Sequence, residues 1–505
     1  MKNLLKIAVL TPLFLVSVSC EQDFLDRKPL KVTLDDIEQG GIVGQVFGIY
    51  GMMRSNEMSI LPSLTMEYFR DDDSMKGSSL ADGRDYEVVA DEFNYTKDHW
   101  FTNSYWSKHY EMINQVNNAL KIVEDEGFTD ENTMQNVGEA KFFRAFAYFN
   151  LARCYGDVPL IDFPIKSAAE ANVPKSPVTQ ILALVDKDLE DAAGLLPESW
   201  GAAYVGRLTK GAANTLRARV ALWNKDYAKA LALSEQVINS GQYRLMDKYF
   251  QIFANEGENG SESIWELQFD FFTAGQTTYG SDWATSQGIR DPGIPEWNLG
   301  WGWNVPTAKL VEAYEAGDPR KNCTILFSGQ SDDPAWGGFG RVLPGSRQTT
   351  PAGPLERQYW NKKVYVDEAF KKANGFNTWQ ANWVNKRMLR YADVLLMAAE
   401  GANETGNGAK AEQYLEQVRS RARHGNAAIL PKVVFKDQAQ MRAAIKHERR
   451  VELAMEGVRF YDLVRWGDAV TALGPQGYTN RHRYMPIPQP EIDKSNGVLV
   501  QNPEW

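Results

Sequence analysis

The feature that most constrains the fold is a pair of adjoining helical patterns that occurs twice in the chain. Residues 211–240 hold two stretches in which apolar side chains recur at helical spacing, separated by a tight turn at residues 224–226. Residues 391–423 hold a similar pair, with the turn at residues 405–408. One helix pair cannot bury its apolar face alone, so such units stack on one another. The pattern therefore predicts a mainly helical protein.

The first pair is similar to a tetratricopeptide unit. Ala221 and Ala230 are small residues that let two helices approach closely, and Tyr227 opens the second helix. Further helical patterns cover residues 38–55, 101–126, 138–156 and 178–196. We therefore predict an all-α fold with minor β-structure. Its tetratricopeptide-like helix pairs would form a superhelix over about residues 38–250 and 386–470.

Residues 255–385 differ from the helical parts in composition. Gly, Pro, Asn, Asp and Trp are frequent there, and the helical periodicity is weak. A loop region of this length inside a compact protein usually carries function. We expect a loop-rich insert that holds the ligand site, within a single domain of residues 38–505.

The first residues predict a lipoprotein signal. Lys2 and Lys6 precede an apolar stretch over residues 7–18, which is too short to span a bilayer and has the length of a secretory signal. Small residues just before Cys20 resemble a lipobox, the site of acylation and cleavage in bacterial lipoproteins. We expect a signal peptide at residues 1–19 and a leader at residues 20–37, held to the membrane by several acyl chains. A plain secretory signal with an incidental cysteine is the alternative.

Composition and cysteine spacing exclude several classes of protein. The formal net charge of −10 argues against nucleic acid or an anionic lipid surface as the main partner. Cys154 and Cys323 lie far apart, without a C-x-x-C motif or a histidine at zinc spacing. A disulfide between them is compatible with an exported location, but nothing in the sequence argues for it. We predict no metal and no other cofactor.

Motifs of the common enzyme classes are missing from the sequence. It has no G-x-S-x-G, no P-loop and no G-x-G-x-x-G after a strand. His447 and Glu448 begin like the zinc motif H-E-x-x-H, but Val451 stands where the second histidine belongs. We interpret this stretch as a helix whose Glu and Arg side chains pair with each other. A glycosidase carboxylate pair stays open, because its members need only meet in space.

Aromatic residues on loops give the better hypothesis for a ligand site. Tyr279, Trp283 and Trp297 lie among Gly and Pro residues, and Trp336 lies in a second Gly-rich loop. This setting is typical of rings that are displayed rather than set into a helix. The apolar face of a sugar stacks on such rings, while polar side chains bond its hydroxyls. We predict that these four residues contact a glycan, with Trp100 as a further candidate.

Two other groups of residues have competing interpretations. Asp71, Asp72 and Asp73 form an acidic triplet that could hold a cation or a polyol, and we count Asp72 as a candidate ligand residue. A solvated turn is the plainer interpretation of the triplet. Trp301 and Trp303 are tied to Pro306 and the helix after it, so we interpret them as packing residues.

Separate blocks along the chain resemble one family, the SusD/RagB-type outer-membrane lipoproteins. The blocks lie at residues 20–26, 138–160, 207–223, 306–320, 390–406, 448–467, 484–493 and 501–505. They occur in the family's order and cover essentially the whole chain from Cys20 on. The resemblance implies an all-α, non-enzymatic binding protein with tetratricopeptide-like units and a loop-rich ligand region. It also implies that Arg459, Asp462 and Trp466 connect the C-terminal helix to the body.

The resemblance further implies a location and a partner. Such proteins are displayed on the surface of a Gram-negative bacterium, anchored in the outer membrane here through Cys20. They cover a SusC-like TonB-dependent transporter and capture nutrients, usually glycans, for import. No ligand residue carries over, because ligand residues in the family vary with the substrate and have no motif. Three alternatives stay open: a peptide ligand as in RagB-type members, a scaffold that holds a partner's helix, and a surface glycoside hydrolase.

Overall fold

A computed structural model describes residues 41–78, 89–269, 280–350, 353–373 and 382–505. The expected signal peptide, Cys20, the leader and Tyr279 lie outside these residues. Among the helices of the described residues, none is both long and apolar enough to cross a membrane. Cys154 and Cys323 are both free and buried.

Helices make up most of the described chain, as predicted. The first eight are α1 (Ile42–Met53), α2 (Asn56–Ser59), α3 (Leu61–Glu67), α4 (Trp100–Glu126), α5 (Glu131–Tyr155), α6 (Val178–Leu195), α7 (Lys210–Trp223) and α8 (Tyr227–Asn239). In the described part of the loop-rich region the helices are short: α9 (Asp282–Gln287), α10 (Ala308–Ala313), α11 (Arg320–Thr324) and α12 (Glu368–Ala373). The C-terminal part contains α13 (Tyr391–Glu404), α14 (Gly408–Ala422), α15 (Gln438–Glu452), α16 (Arg459–Trp466), α17 (Ala469–Leu473) and α18 (Gln489–Lys494).

The strands are short, and those described pair in antiparallel twos. They are β1 (Ser74–Gly77), β2 (Val158–Pro159), β3 (Lys175–Ser176), β4 (Ser263–Leu267), β5 (Trp303–Pro306), β6 (Ile325–Phe327), β7 (Arg347–Thr350), β8 (Gly353–Glu356), β9 (Tyr359–Asn361) and β10 (Lys386–Arg390). The pairs are β1–β5, β2–β3, β4–β10, β6–β9 and β7–β8. The β4–β10 pair joins the start of the loop-rich region to the segment that leads into α13.

The two predicted helix pairs stack directly on each other, although 150 residues of other structure separate them in sequence order. Successive contacts run from α4 through α5, α6, α7 and α8 to α13 and α14. Gly401 lies where α13 meets α8, and a Cβ atom there would lie 2.9 Å from the carbonyl oxygen of Tyr227. The second helix of each pair begins at a side-chain cap, with Asp226 accepting from the N–H of Lys229 at 3.1 Å. The stacked helices share one large hydrophobic core.

Side chains of α15 tie the loop-rich region to the helices. Arg320 of α11 donates to Glu448 at 2.5 Å and to Glu452 at 3.0 Å. Arg390 of β10 donates to Glu452 at 2.7 Å, and Arg421 of α14 contacts the same carboxylate. All five side chains are buried. The expectation that Glu and Arg pair within α15 is therefore wrong, because these groups bond to partners on other elements.

The C-terminal helix is held to the body as the family resemblance implied. Arg459 Nε donates to Asp72 at 2.8 Å. Asp462 accepts from Arg449 Nε at 2.9 Å, and Trp466 Nε1 donates to Glu400 at 3.0 Å. These contacts confirm the structural role predicted for Arg459, Asp462 and Trp466.

Candidate functional site

An aromatic cleft of about 450 Å³ lies in the loop-rich region. Six aromatic side chains line it: Phe250, Phe253, Trp336, Phe339, Tyr365 and Phe370. Four polar side chains join them: Asn255, Glu256, Lys362 and Asp367. Apolar surface with a few polar groups is the usual composition of a small-molecule site. We call this group of residues the aromatic cleft.

A tight loop positions Trp336 on the wall of the aromatic cleft. The side chain of Asp333 accepts the N–H of Ala335 at 2.8 Å and so begins a single 3₁₀ turn that ends at Trp336. Gly337 follows with φ of 79°, and a Cβ atom there would lie 2.8 Å from Phe250. The glycine therefore allows the loop to pack closely on Phe250, which leaves the Trp336 ring half-buried at the cleft.

The same loop presents Phe339 to the aromatic cleft. Asp332 accepts the N–H of Phe339 at 3.0 Å and also the N–H of Arg341. The Phe339 ring lies 5.1 Å from that of Tyr365 and stays 39% exposed. Burial, followed by the nearby Asp332 charge, raises the pKa of Tyr365, so its hydroxyl remains protonated. Phe370 on α12 is 37% exposed on the same cleft.

Trp297 lies outside the set of residues that line the aromatic cleft. The guanidinium of Arg341 lies 3.8 Å from its ring centroid, and the ring of Tyr365 stacks on it at 6.5 Å. Its side chain is 6% exposed. The expectation that this ring is displayed is wrong, because neighbouring side chains cover it. Trp297 instead packs against Tyr365, which lines the aromatic cleft, and against Arg341 of the adjoining loop.

Trp283 is also buried, at 6% exposure, in a small core with Leu64, Phe69 and Trp303. The expectation that this ring is displayed is wrong too, because it packs into this core. Trp301 and Trp303 meet edge to face at 4.9 Å, which confirms that they are packing residues.

Trp100 begins α4 and packs, partly buried, against the large core. It is not among the residues that line the aromatic cleft. Of the ligand residues predicted from the sequence and described by the structure, Trp336 alone belongs to the candidate site.

The acidic triplet is buried rather than solvated, which corrects the plainer interpretation. Arg459 and Arg450 hold Asp72 in ion pairs at 2.8 and 3.4 Å, and Arg450 donates to Asp73 at 2.6 Å. Although burial opposes it, these two arginines keep the pKa of Asp72 below its ordinary value. Burial and the two neighbouring carboxylates raise the pKa of Asp71. The triplet thus binds arginines of the same chain, and no metal-binding group of three His, Cys, Asp or Glu occurs among the described residues.

Two other openings have few aromatic side chains in their walls. One of about 500 Å³ lies beside β1, where Arg357 donates to the carbonyl of Ser78 at 2.8 Å. A groove of about 1110 Å³ runs along α14 and is lined mainly by charged and amide side chains, with Tyr391 as its aromatic residue. Neither offers the set of rings that the aromatic cleft brings together.

Sequence reasoning missed most of the aromatic cleft. Phe250 and Phe253 come from one segment and Tyr365 and Phe370 from another, and none of them lies beside Trp336 in sequence. Phe339 is the exception, because it shares the Gly-rich loop of Trp336. That loop was the one available signal for the site.

Comparison with known proteins gives the family. Residues 23–222 match the family model described as "Starch-binding associating with outer membrane", and residues 261–481 match the model described as "SusD family". The chain belongs to the SusD/RagB family. The two matches cover both the stacked helices and the loop-rich region that carries the aromatic cleft.

A sequence relative and two solved structures are similar to this SusD/RagB protein over most of its length. "SusD-like protein P2" of Formosa agariphila is 28% identical over 449 residues, covering 85% of each chain. A solved "Laminarin binding SusD-like protein" is 27% identical with a TM-score of 0.74, covering 94% of this chain and all of that one. "Surface glycan-binding protein A from Bacteroides fluxus" is 26% identical, with the same TM-score and coverage.

Proposed function

We propose that this SusD/RagB protein captures oligosaccharides or polysaccharides at the cell surface and binds them in the aromatic cleft. The observation that carries the proposal is the convergence of six aromatic side chains and four polar ones on a single cleft. Sugars offer apolar ring faces and polar edges at once, so they need both kinds of surface. Two similar solved structures, one named as laminarin-binding and one as glycan-binding, support the same ligand class.

The side chains divide the work of binding. Trp336, Phe339 and Phe370 offer ring surface for stacking, while Asn255 and Asp367 offer hydrogen-bonding groups for hydroxyls. Capture for uptake requires release, so we expect dissociation constants in the micromolar to millimolar range, or about −4 to −8 kcal/mol. Tighter binding would slow the transfer of the glycan to a transporter.

Delivery to a SusC-like TonB-dependent transporter is the next part of the proposal. The chain would be anchored in the outer membrane by lipids on Cys20 and would act without catalysis. The lipobox-like sequence before Cys20 supports the anchor, and the family description "associating with outer membrane" supports the location. Membership of the SusD/RagB family supports the transporter as partner. A strain whose transporter gene is deleted should bind glycan at its surface and fail to import it.

Affinity gel electrophoresis tests glycan capture. The chain from residue 21 on is run in gels that contain laminarin, soluble starch, xylan, galactomannan or dextran. We expect at least one glycan to retard it, and Trp336→Ala and Phe339→Ala to abolish most of that retardation. Phe163→Ala is the matched control, because Phe163 is also 39% exposed but lines no described cleft.

Each other outcome has a defined meaning. Retardation that survives both cleft substitutions would move the site away from the aromatic cleft. No retardation in any glycan gel would contradict glycan capture and favour a peptide ligand or a scaffold. Shorter products after incubation with a retarding glycan would contradict the absence of catalysis.

A further inference from the structure

We infer that the protein has a second carbohydrate-binding cleft, built around Trp200 and Tyr204 between α6 and α7. This inference rests on the proposed function, which it extends from one ligand cleft to two. The cleft has a volume of about 290 Å³. Its wall contains the rings of Trp200, Tyr204 and Tyr243, and we call it the Trp200 cleft.

The Trp200 ring is held in place before any ligand arrives. Its Nε1 donates to the carbonyl of Leu208 at 2.7 Å, and the guanidinium of Arg207 lies 3.9 Å from its centroid. Arg207 is fixed in turn by Glu139 of α5, at 2.7 Å. A ring fixed in this way loses little conformational entropy when a ligand stacks on it.

The side chain of Tyr204 is largely exposed to solvent. Its side chain is 51% exposed, and its ring lies 6.0 Å from that of Trp200 at an angle of 59°. Val205 beside it is 53% exposed. Large side chains exposed together at a concave place mark a binding surface more often than those scattered singly.

Hydroxyl and amide side chains also line the Trp200 cleft. Ser199, Thr209, Gln242, Asn259 and Ser261 all line the cleft. These groups donate and accept hydrogen bonds without net charge, as sugar hydroxyls require.

The charges around the Trp200 cleft are paired within the protein. Arg207 is bound to Glu139, Glu198 pairs with Lys210 at 3.0 Å, and Glu266 lies 3.6 Å from Arg387. A charged ligand would have to compete with these pairs. The lining therefore fits a neutral glycan better than an acidic one.

One segment of chain separates the two clefts. Residues 253–256 line the aromatic cleft, and residues 259–261 line the Trp200 cleft. Three residues extend over at most roughly 11 Å, so the Cα atoms of Glu256 and Asn259 lie within that distance. A polysaccharide chain is long enough to contact both clefts, whereas a short oligosaccharide occupies one. Joint occupancy would raise the affinity for the polymer without any tighter single contact.

Ligand length separates this inference from a structural role. The chain from residue 21 on is compared with Tyr204→Ala and with the double variant Trp200→Ala, Tyr204→Ala. Laminarin and soluble starch are used in affinity gels, and laminaritriose and maltotriose in calorimetric titrations. We expect both variants to bind the polymer about threefold to tenfold more weakly, and to bind its trisaccharide as the parent does because the larger aromatic cleft holds that short ligand. Trp336→Ala should weaken both.

The outcomes distinguish the two proposals. Unchanged polymer binding by both variants would overturn the second cleft and leave the proposed function intact. Equal loss for polymer and trisaccharide would also overturn it, since it would point to a general disturbance of the fold. Tyr204→Ala guards against that disturbance because half of its side chain is solvent-exposed. If the parent protein binds none of the four probes, proposed function and second cleft fail together for these glycans.

Discussion

The stacked helices and the loop-rich region bury their aromatic residues in different ways. In the helical part, Phe142 and Phe146 of α5 meet Trp265 of β4 edge to face at 5.2 and 5.5 Å inside one large core. The loop-rich region instead builds several small clusters, such as the one that holds Trp297 and Trp360. Small clusters leave gaps between them, and the aromatic cleft is such a gap. The comparison indicates that the large core of the helices supplies most of the stability, whereas the gaps between the small clusters form the aromatic cleft.

The largest effect should come from the ion pairs that join the two parts. Glu452→Ala would remove a carboxylate from Arg320, Arg390 and Arg421, leaving buried guanidinium groups short of a partner. We expect the free energy of unfolding to fall by about 3–5 kcal/mol in urea denaturation. Glu404→Ala, which breaks a more exposed pair with Arg442, is the control and should cost about 1 kcal/mol or less. Equal losses of stability would mean that the ion pairs of Glu452 stabilise the fold no more than the exposed pair of Glu404 does.

A pair of leucine substitutions sharpens the contrast between one large core and several small ones. Leu395 is fully buried in the large core, and Leu343 is nearly so in the cluster of Trp297. We expect Leu395→Ala to lower the free energy of unfolding by about 3–5 kcal/mol and Leu343→Ala by about 2 kcal/mol, because loops can collapse around a cavity. Chemical denaturation of both variants measures this. A larger loss at Leu343 would contradict the assignment of stability to the helices.

Acid should act on the helical part through His109. Its Nδ1 lies 2.7 Å from the carbonyl of Tyr105 and donates to it, and burial lowers its pKa to about 4. In the unfolded chain the imidazole takes up a proton near its ordinary pKa of about 6.5, so neutral His109 makes its full contribution to the free energy of unfolding above that pH. This contribution is lost as the pH falls from about 6.5 to about 4, and the loss reaches about 3 kcal/mol. Denaturation midpoints measured across this range should fall less steeply in His109→Gln; an unchanged slope would rule His109 out as a cause.

The smallest stability effect is expected at the aromatic cleft. Trp336 is half-buried on a loop, so Trp336→Ala should lower the free energy of unfolding by about 1 kcal/mol or less while glycan retardation is lost. Trp360→Ala is the matched substitution within the same region, since Trp360 is fully buried. We expect it to cost about 3–5 kcal/mol. Thermal unfolding measures both losses of stability. Similar losses would contradict the distinction between a ring at the aromatic cleft and a ring in the core.

Much of the helical part could be predicted because its signals are local. Periodic apolar residues and a tight turn indicated the pairs α7–α8 and α13–α14, with ends within a few residues of those observed. The sequence could not show that these pairs touch through Gly401, because that contact joins distant segments.

The site was harder to predict for the same physical reason. Phe250, Trp336 and Phe370 meet only after three separate loops have folded, so no spacing in the sequence connects them. Asp72 shows the converse case, in which a local pattern in the sequence predicts a ligand residue that the structure does not support. A run of aspartates suggests water or a cation, but Arg450 and Arg459, which neutralise it, come from the far end of the chain.

The ion pairs at Arg320 and Arg390 have a consequence for how this architecture can change. Both arginines are fixed by Glu452, and the chain between them carries four of the six rings of the aromatic cleft. The exposed rings between these two fixed points, such as Phe339 and Phe370, can therefore be exchanged while both ends stay clamped to the same helix. The rim of the cleft can thus evolve without disturbing the joint that holds the frame together.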